Sequence, residues 1–489
     1  MNNMIEQIDN IAPTNGADAN NESPVSTPEV DLSSRRFVES LEPKVKKVDS
    51  DKDLDLFCYT TCTPEDPDYV KTCRGLVFIK DELILKAYSY SPDYCANDWQ
   101  TLVDTYGNDL SSFRCFDSYE GALIRVFYAQ DKWYISTHRR LNAFKSKWSS
   151  RISFGEMFAK SLAYENSLGG EFTTFVDENA EAEPSADTSP DRLTNRFISA
   201  LDKSKQYMFL VQNNADNRIV CEAPENSRVF HVGTFQDCTL DLNCRVGLPY
   251  PKEHAFDTVD DLLTYVEESV DIKTMQGVIM FTPTEQVKIL NRDYRQYFAA
   301  RGNEPSIKFR YLQVRMDAAM KSTLAQLYPS QVEHFDMYEN TLYEIALHIK
   351  NAYIKRFIKK EFVAMPSEEY SIMKECHMWH IEDRTHNHIS FQKVINTLNQ
   401  QSATKLNKMI RRYINDQRIK SLKDQEENAL RERNAGVVES QPQQEVDEGN
   451  VVADSSAEGY SHIHPSRVAA VQSANSAPPG PSFASMLRR

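Results

Sequence analysis

The chain has 489 residues, of which 40% are hydrophobic and 26% charged, with a formal net charge of −15 at pH 7. That length predicts two or three domains and a sizeable core. The acidic balance excludes a protein that coats nucleic acid over its whole surface, although it leaves room for a local basic groove. There is no long apolar run, which predicts no membrane insertion, and nine cysteines without a CxxC pair predict a reducing, intracellular compartment and no zinc site.

Residues 1–36 are rich in Asn, Ser, Pro and acids and read as a disordered tail, as do residues 434–489. From 37 to 316 the texture is one of short β-like runs: "RGLVFIKDELILKAYSY", "GALIRVFYAQDKWYIST", "RVFHVGTF", "GVIMFTP" and "EQVKIL". Within it, 177–192 is acidic and proline-containing and reads as an inserted loop. From 317 to 433 the pattern turns helical, and Ile345, Ile349, Tyr353 and Phe357 recur every four residues to give one apolar face. The predicted class is α+β: antiparallel sheets around a groove, then an all-helical C-terminal domain.

Five stretches stand in a fixed order: "KTCRGLVF" (71–78), "SYEG" (118–121), "WYISTHRR" (133–140), "NRIV" (217–220), and "QGVIMF" (276–281) with "VKIL" (287–290). In order and spacing they resemble the bacteriophage RNA ligase 1 family of the covalent nucleotidyltransferases, over roughly residues 55–300. The resemblance implies a nucleotide pocket built by Arg74, Glu120, Gly121, Gln276 and Lys288, to which the basic run His138, Arg139 and Arg140 adds a phosphate grip through Arg139.

The same resemblance exposes four departures. The nucleophilic lysine position of the Lys-x-Asp-Gly element is Ser118. Leu210 or Val211 stands where an acid is expected, Gln276 replaces a glutamate, and Leu290 replaces the second strand lysine. Lysine attacks the α-phosphate of ATP to give a phosphoramidate, and a serine hydroxyl is a poor substitute. The lost acids and lysine are the charges that such a transition state needs. No lysine lies between Lys86 and Lys132, so no shift of register supplies an amine; Lys71 or Lys86 entering from elsewhere is the remaining route.

Each matched residue also has a plainer reading. Arg74 can pair across a sheet, Lys288 can face solvent from its strand, and Glu120–Gly121 can be a hairpin turn with glycine at positive φ. The function implied is that of a degenerate RNA-ligase-like protein, of the kind a large DNA virus could carry, which binds nucleotide or nucleic-acid ends without self-adenylylation. The alternatives are an active ligase with a displaced nucleophile, which alone would need ATP and Mg2+, and a structural or virion-associated interaction protein with a relic pocket.

In the helical half, "ECHMWHIEDRTHNH" (375–388) places His377, His380, Asp383 and His388 close together, but Trp379 and Ile381 favour a packed helix end over a metal site. Segments 350–362 and 405–423 are basic, the latter with seven cations against Asp416. They predict an RNA or DNA face through Lys355, Arg356, Lys359, Lys408, Arg411 and Arg412, unless these cations only solvate a helix surface. The terminal "FASMLRR" is a candidate docking segment for a protein partner.

Overall fold

A computed structural model describes residues 32–180, 190–212, 218–282 and 285–438. The middle of the acidic loop, the terminal docking segment and nearly all of both predicted tails lie outside the described residues. The chain divides into two compact units, residues 1–291 and 292–489. The second unit opens with helix Arg292–Arg301.

The first unit holds three sheets. Val45–Asp51, Leu54–Tyr59, Arg74–Ile79 and Glu82–Leu85 form an antiparallel meander. The second sheet runs Thr239–Asp241, Arg228–Gln236, Gln206–Gln212, Ala122–Ala129, Lys132–Ser136. The third runs Glu253–His254, Arg114–Ser118, Gly277–Phe281, Gln286–Leu290, Asp93–Tyr94, with its last pair parallel.

Helices Phe154–Leu168, Glu171–Asn179 and Pro190–Ser199 lie within the region whose sequence texture is β-like. The first starts at a reciprocal cap: Glu156 N donates to Ser153 Oγ at 3.2 Å, and Ser153 N donates to Glu156 Oε2 at 2.6 Å. Its Met157, Phe158 and Leu162, with Phe172 and Phe197 of the following helices, bury against Ile124, Val126 and Phe209 of the second sheet. Helix Val259–Glu268 covers one face of the third sheet through Leu262 and Val266 on Val278, Met280, Val287 and Ile289.

The Ser-Tyr-Glu-Gly segment is not a hairpin. The strands on either side of it pair in different sheets, so it is a crossover between them. Gly121 does not adopt positive φ. It is required for a different reason: a Cβ there would stand 2.7 Å from the Val211 carbonyl oxygen and 2.9 Å from Leu210 Cγ.

In the second unit all described elements are helical: Arg292–Arg301, Ile307–Val314, Ala318–Leu327, Val332–Tyr353 with a π-turn over Ile354–Ile358, Ser367–Glu382, Phe391–Asn399 and Ala403–Val438. Of the four-residue recurrence, Ile345, Ile349 and Tyr353 are buried and Phe357, in the π-turn, is half-buried, in a unit whose other buried residues include Ile372, Met373, Val394, Leu398, Met409 and Ile410.

Candidate functional site

Strand Arg114–Ser118 carries Ser118 at its end. Ser118 lies opposite Gly277, and Phe116, two residues back, lies opposite Ile279, which in turn faces Lys288. Directly opposed residues share a sheet face, so Ser118, Phe116 and Lys288 point the same way. The opposite face is the one buried under helix Val259–Glu268. Ser118 is 5% exposed and Gln276 8% exposed. Gln276 Nε2 donates to Ser118 Oγ at 2.9 Å and to the Tyr119 carbonyl at 3.1 Å. Ser118 and Gln276 thus form one neutral hydrogen-bonded pair.

Glu120 is engaged by backbone. Its Oε1 accepts from Val220 N at 2.7 Å and Cys221 N at 3.2 Å, and its Oε2 accepts from Ile219 N at 3.1 Å. The carboxylate ties the crossover to the end of the "NRIV" stretch, so these two stretches meet in space. Behind the strand, Asp117 accepts from the Tyr119 hydroxyl at 3.1 Å and sits 2.8 Å from His254 Nε2, which also contacts the Tyr265 hydroxyl at 3.2 Å. That network anchors the strand end from the face away from Ser118.

The cations converge from other strands. Arg74 Nη1 donates to the Ser89 carbonyl at 3.2 Å, and Gln286, two residues before Lys288, donates to the same carbonyl at 2.8 Å. Ser89 therefore joins the arginine strand to the lysine strand. Lys288 has its pKa lowered, first by desolvation and then by Arg74, against the opposing pull of Asp93 and Glu120. Arg139 Nη2 donates to the carbonyls of Tyr59 at 3.2 Å and Thr60 at 3.1 Å. Among the described residues, Arg74, Arg139 and Lys288 form no ion pair with a carboxylate.

One member of this cluster was not singled out from the sequence. Arg125 is 0% exposed. Its Nη1 donates to the Gly75 carbonyl and its Nη2 to the Thr137 carbonyl at 2.6 Å, while its Nε has no partner among the described residues. It has no carboxylate partner there either, and burial lowers its pKa to about 9. Arg125 thus bridges the Arg74–Gly75 strand to the loop that carries His138 and Arg139. Gly75, at φ +83°, makes room for it: a Cβ there would stand 2.6 Å from the guanidinium. A cation inside the apolar run "GALIRVFY" was the available signal.

Surrounded in this way, His138 is pushed down to about 3, chiefly by burial and then by Arg74, Arg125 and Arg139. The unfolded chain takes up a proton near pH 6.5 that the folded protein refuses until about pH 3. Stability should therefore fall as pH drops below 6.5, by about 1.4 kcal/mol per pH unit for this group. His231, held down to about 4 by burial, adds to the slope. Urea denaturation at pH 7 and pH 5 should show His138→Gln losing less stability than wild type over that interval. Equal losses would remove the imidazole from the electrostatics of the site.

In the second unit the predicted basic face is partly engaged. Arg412 donates to Glu368 at 2.6 Å and Glu369 at 3.0 Å, Lys408 also pairs with Glu368, and His348 sits 2.7 Å from Glu369. The two cations hold the Glu368 carboxyl down to about 2. Reversing the charge of Arg412 would break these pairs, so that substitution would not report cleanly on nucleic acid. Arg356 lies over the Tyr370 ring at 5.2 Å, while Lys355, Lys359 and Arg411 are exposed.

The histidines have local partners. His377 stacks on Phe357 at 3.8 Å, His380 Nδ1 lies 2.5 Å from the Asn387 carbonyl, and His386 pairs with Asp383 at 2.7 Å. No group of three or more potential ligands stands together among the described residues. No helix among them is long and apolar enough to cross a membrane. Lys71 pairs with Asp68, and Lys86 lies beside the Cys238 thiol.

No protein-family model matches the chain. It is 25% identical over 409 residues to the "Immediate-early protein ICP-46 homolog" of Invertebrate iridescent virus 6, covering 78% of this chain and 82% of the relative. It is 30% identical over 254 residues to the protein of that name in Invertebrate iridescent virus 3, about half of each chain. It is 27% identical over 266 residues to "Immediate-early protein ICP-46" of Frog virus 3, 52% of this chain and 62% of that one. Two solved forms of an archaeal ATP-dependent RNA ligase superpose with a TM-score of 0.31 at 8% identity, covering 59% and 60% of this chain and 68% and 70% of theirs. The chain is thus similar to one such iridescent-virus protein along 78% of its length and to two further ICP-46 proteins along about half of it.

Proposed function

We propose that the groove between Ser118, Arg74 and Lys288 binds the phosphate end of a nucleotide or polynucleotide without forming a covalent intermediate. The observation that carries this reading is the cation excess: Arg74, Arg125, Arg139 and Lys288 share one region with no carboxylate ion-paired to any of them among the described residues. Of these, Arg125 is buried, Arg74 and Lys288 are half-buried and Arg139 is exposed; a site that keeps cations without ion-pair partners is suited to an anion that arrives with the ligand. Arg74 and Lys288 would contact phosphate oxygens, Arg139 would reach from the rim, and Arg125 would hold the two arginine-bearing segments in register. The neutral Ser118–Gln276 pair offers no amine for attack.

Calorimetric titration with pyrophosphate, ATP, GTP and a 5′-phosphorylated RNA oligonucleotide tests this. Binding that weakens as salt rises is the expected result. Absence of heat with all four would leave the relic pocket as the better account.

One observation favours a second reading. Lys288 is a lysine on the face of Ser118, and desolvation beside Arg74 favours its nucleophilic neutral form. If a nucleotide adduct forms at all, it is expected on Lys288.

A further inference from the structure

Helix Val332–Tyr353 runs into the π-turn Ile354–Ile358, which Lys359 N closes by donating to the Ile354 carbonyl at 2.9 Å. Lys360, at φ +61°, then ends the helix, and Glu361 N donates to the Lys355 carbonyl at 2.9 Å. Single π-turns are frequent at functional sites. Phe357 sits in this one, half-buried, and stacks on His377 of helix Ser367–Glu382, with centroids 3.8 Å apart and ring planes at 20°. The Tyr353 hydroxyl lies 3.3 Å from His377 Nδ1 and fixes that ring. Just past the turn, Phe362 is 88% exposed, the most exposed large apolar side chain among the described residues.

The charge close to these rings is of one sign. His377 has its pKa lowered, first by desolvation and then by His380, Arg384 and Lys360, with no carboxylate pulling the other way. Lys355, Lys359, Lys360 and Arg384 are exposed and have no ion-pair partner among the described residues. The acids nearest in sequence are Glu361, Glu382 and Asp383, and Asp383 is paired with His386. A ligand that matches both features carries anions and flat rings together: phosphates for the exposed cations, and bases for the exposed aromatic ring. Bases inside a duplex already cover one another, so the matching strand is single. A lipid surface would accept Phe362 and the lysines, but it would also have to dehydrate Glu361, Glu382 and the two histidines.

We propose that the π-turn and the last turns of helix Ser367–Glu382 bind single-stranded nucleic acid, with Phe362 stacked on a base and Lys359, Lys360 and Arg384 on neighbouring phosphates. This contact needs nothing from the groove of the first unit.

Fluorescence anisotropy on the full chain, with a labelled RNA of about 12 nucleotides that has no terminal phosphate, tests the proposal. The single strand should bind at least about tenfold more tightly than the same sequence as a duplex, and binding should weaken as salt rises. Phe362→Ala should weaken it about fivefold or more with an unchanged circular dichroism spectrum, since the ring is exposed. Lys359→Glu with Lys360→Glu should weaken it further and flatten its salt dependence. Equal affinity for strand and duplex, an affinity indifferent to Phe362→Ala, or no binding at low salt overturns the proposal. So does binding to vesicles of anionic phospholipid that Phe362→Ala abolishes while RNA goes unbound, which would assign this surface to a membrane.

Discussion

After incubation with labelled ATP or GTP and magnesium, no label is expected to survive denaturation of the wild-type chain. Supplying the missing amine should not change this result. Ser118 is 5% exposed, and its hydroxyl accepts from Gln276 at 2.9 Å. A lysine there would place an ammonium in a site that already holds Arg74 and Lys288, opposite an amide that cannot neutralise it. A buried charge without a partner destabilises by about 3–5 kcal/mol. Ser118→Lys should therefore lower the urea midpoint sharply and remain unlabelled. Adding Gln276→Glu restores an acid at the atom that now donates to Ser118, and most of the lost stability should return. The two changes should couple by about 1–3 kcal/mol in a double-mutant cycle. Additive effects would show that Ser118 and Gln276 are not an interdependent pair. Labelling remains unexpected even in the double variant, because Leu290 and the apolar Leu210–Val211 segment still lack the charges that stabilise phosphoryl transfer.

That pairing also shows what the sequence could and could not disclose. The order of the five stretches brought out Ser118, Glu120, Gln276 and Lys288, and the fold places Ser118 beside Gln276 and on the sheet face of Lys288, because strand register follows from alternation. The sequence could not tell that Glu120 is consumed by three backbone N–H groups of residues 219–221, since that contact spans about a hundred residues of chain. Nor did it disclose the crossover. Two apolar runs separated by a polar Ser-Tyr-Glu-Gly segment look like a hairpin, and only the pairing of each run with distant strands sends them to different sheets. The helices at 154–199 were hidden within a β-like texture. In the second unit the apolar periodicity was legible, but the ion pairs of Lys408 and Arg412 with Glu368 were not, because local charge counts ignore acids on a neighbouring helix.

Lys288→Met should have opposite effects on stability and binding. In the free protein the half-buried ammonium has its pKa lowered by desolvation and by Arg74, with Asp93 and Glu120 pulling the other way, and it has no hydrogen-bond or ion-pair partner among the described residues. Methionine keeps the length of the chain and removes the charge, so the unliganded protein should be more stable, on the order of 1 kcal/mol. A charge-assisted contact to phosphate is typically worth ~1.5–3 kcal/mol, so affinity for pyrophosphate should fall about ten- to hundredfold. Thermal melts with and without pyrophosphate read both effects together. The variant should melt higher than wild type alone and gain less from the ligand. A group kept only for packing gives the reverse: a lower melting point and an unchanged ligand response. The same variant decides the fate of the amine. If a label does persist on the wild-type chain and disappears with Lys288→Met, then this lysine has taken over the attack that Ser118 cannot make, and the groove is a transferase site with its nucleophile moved across the sheet.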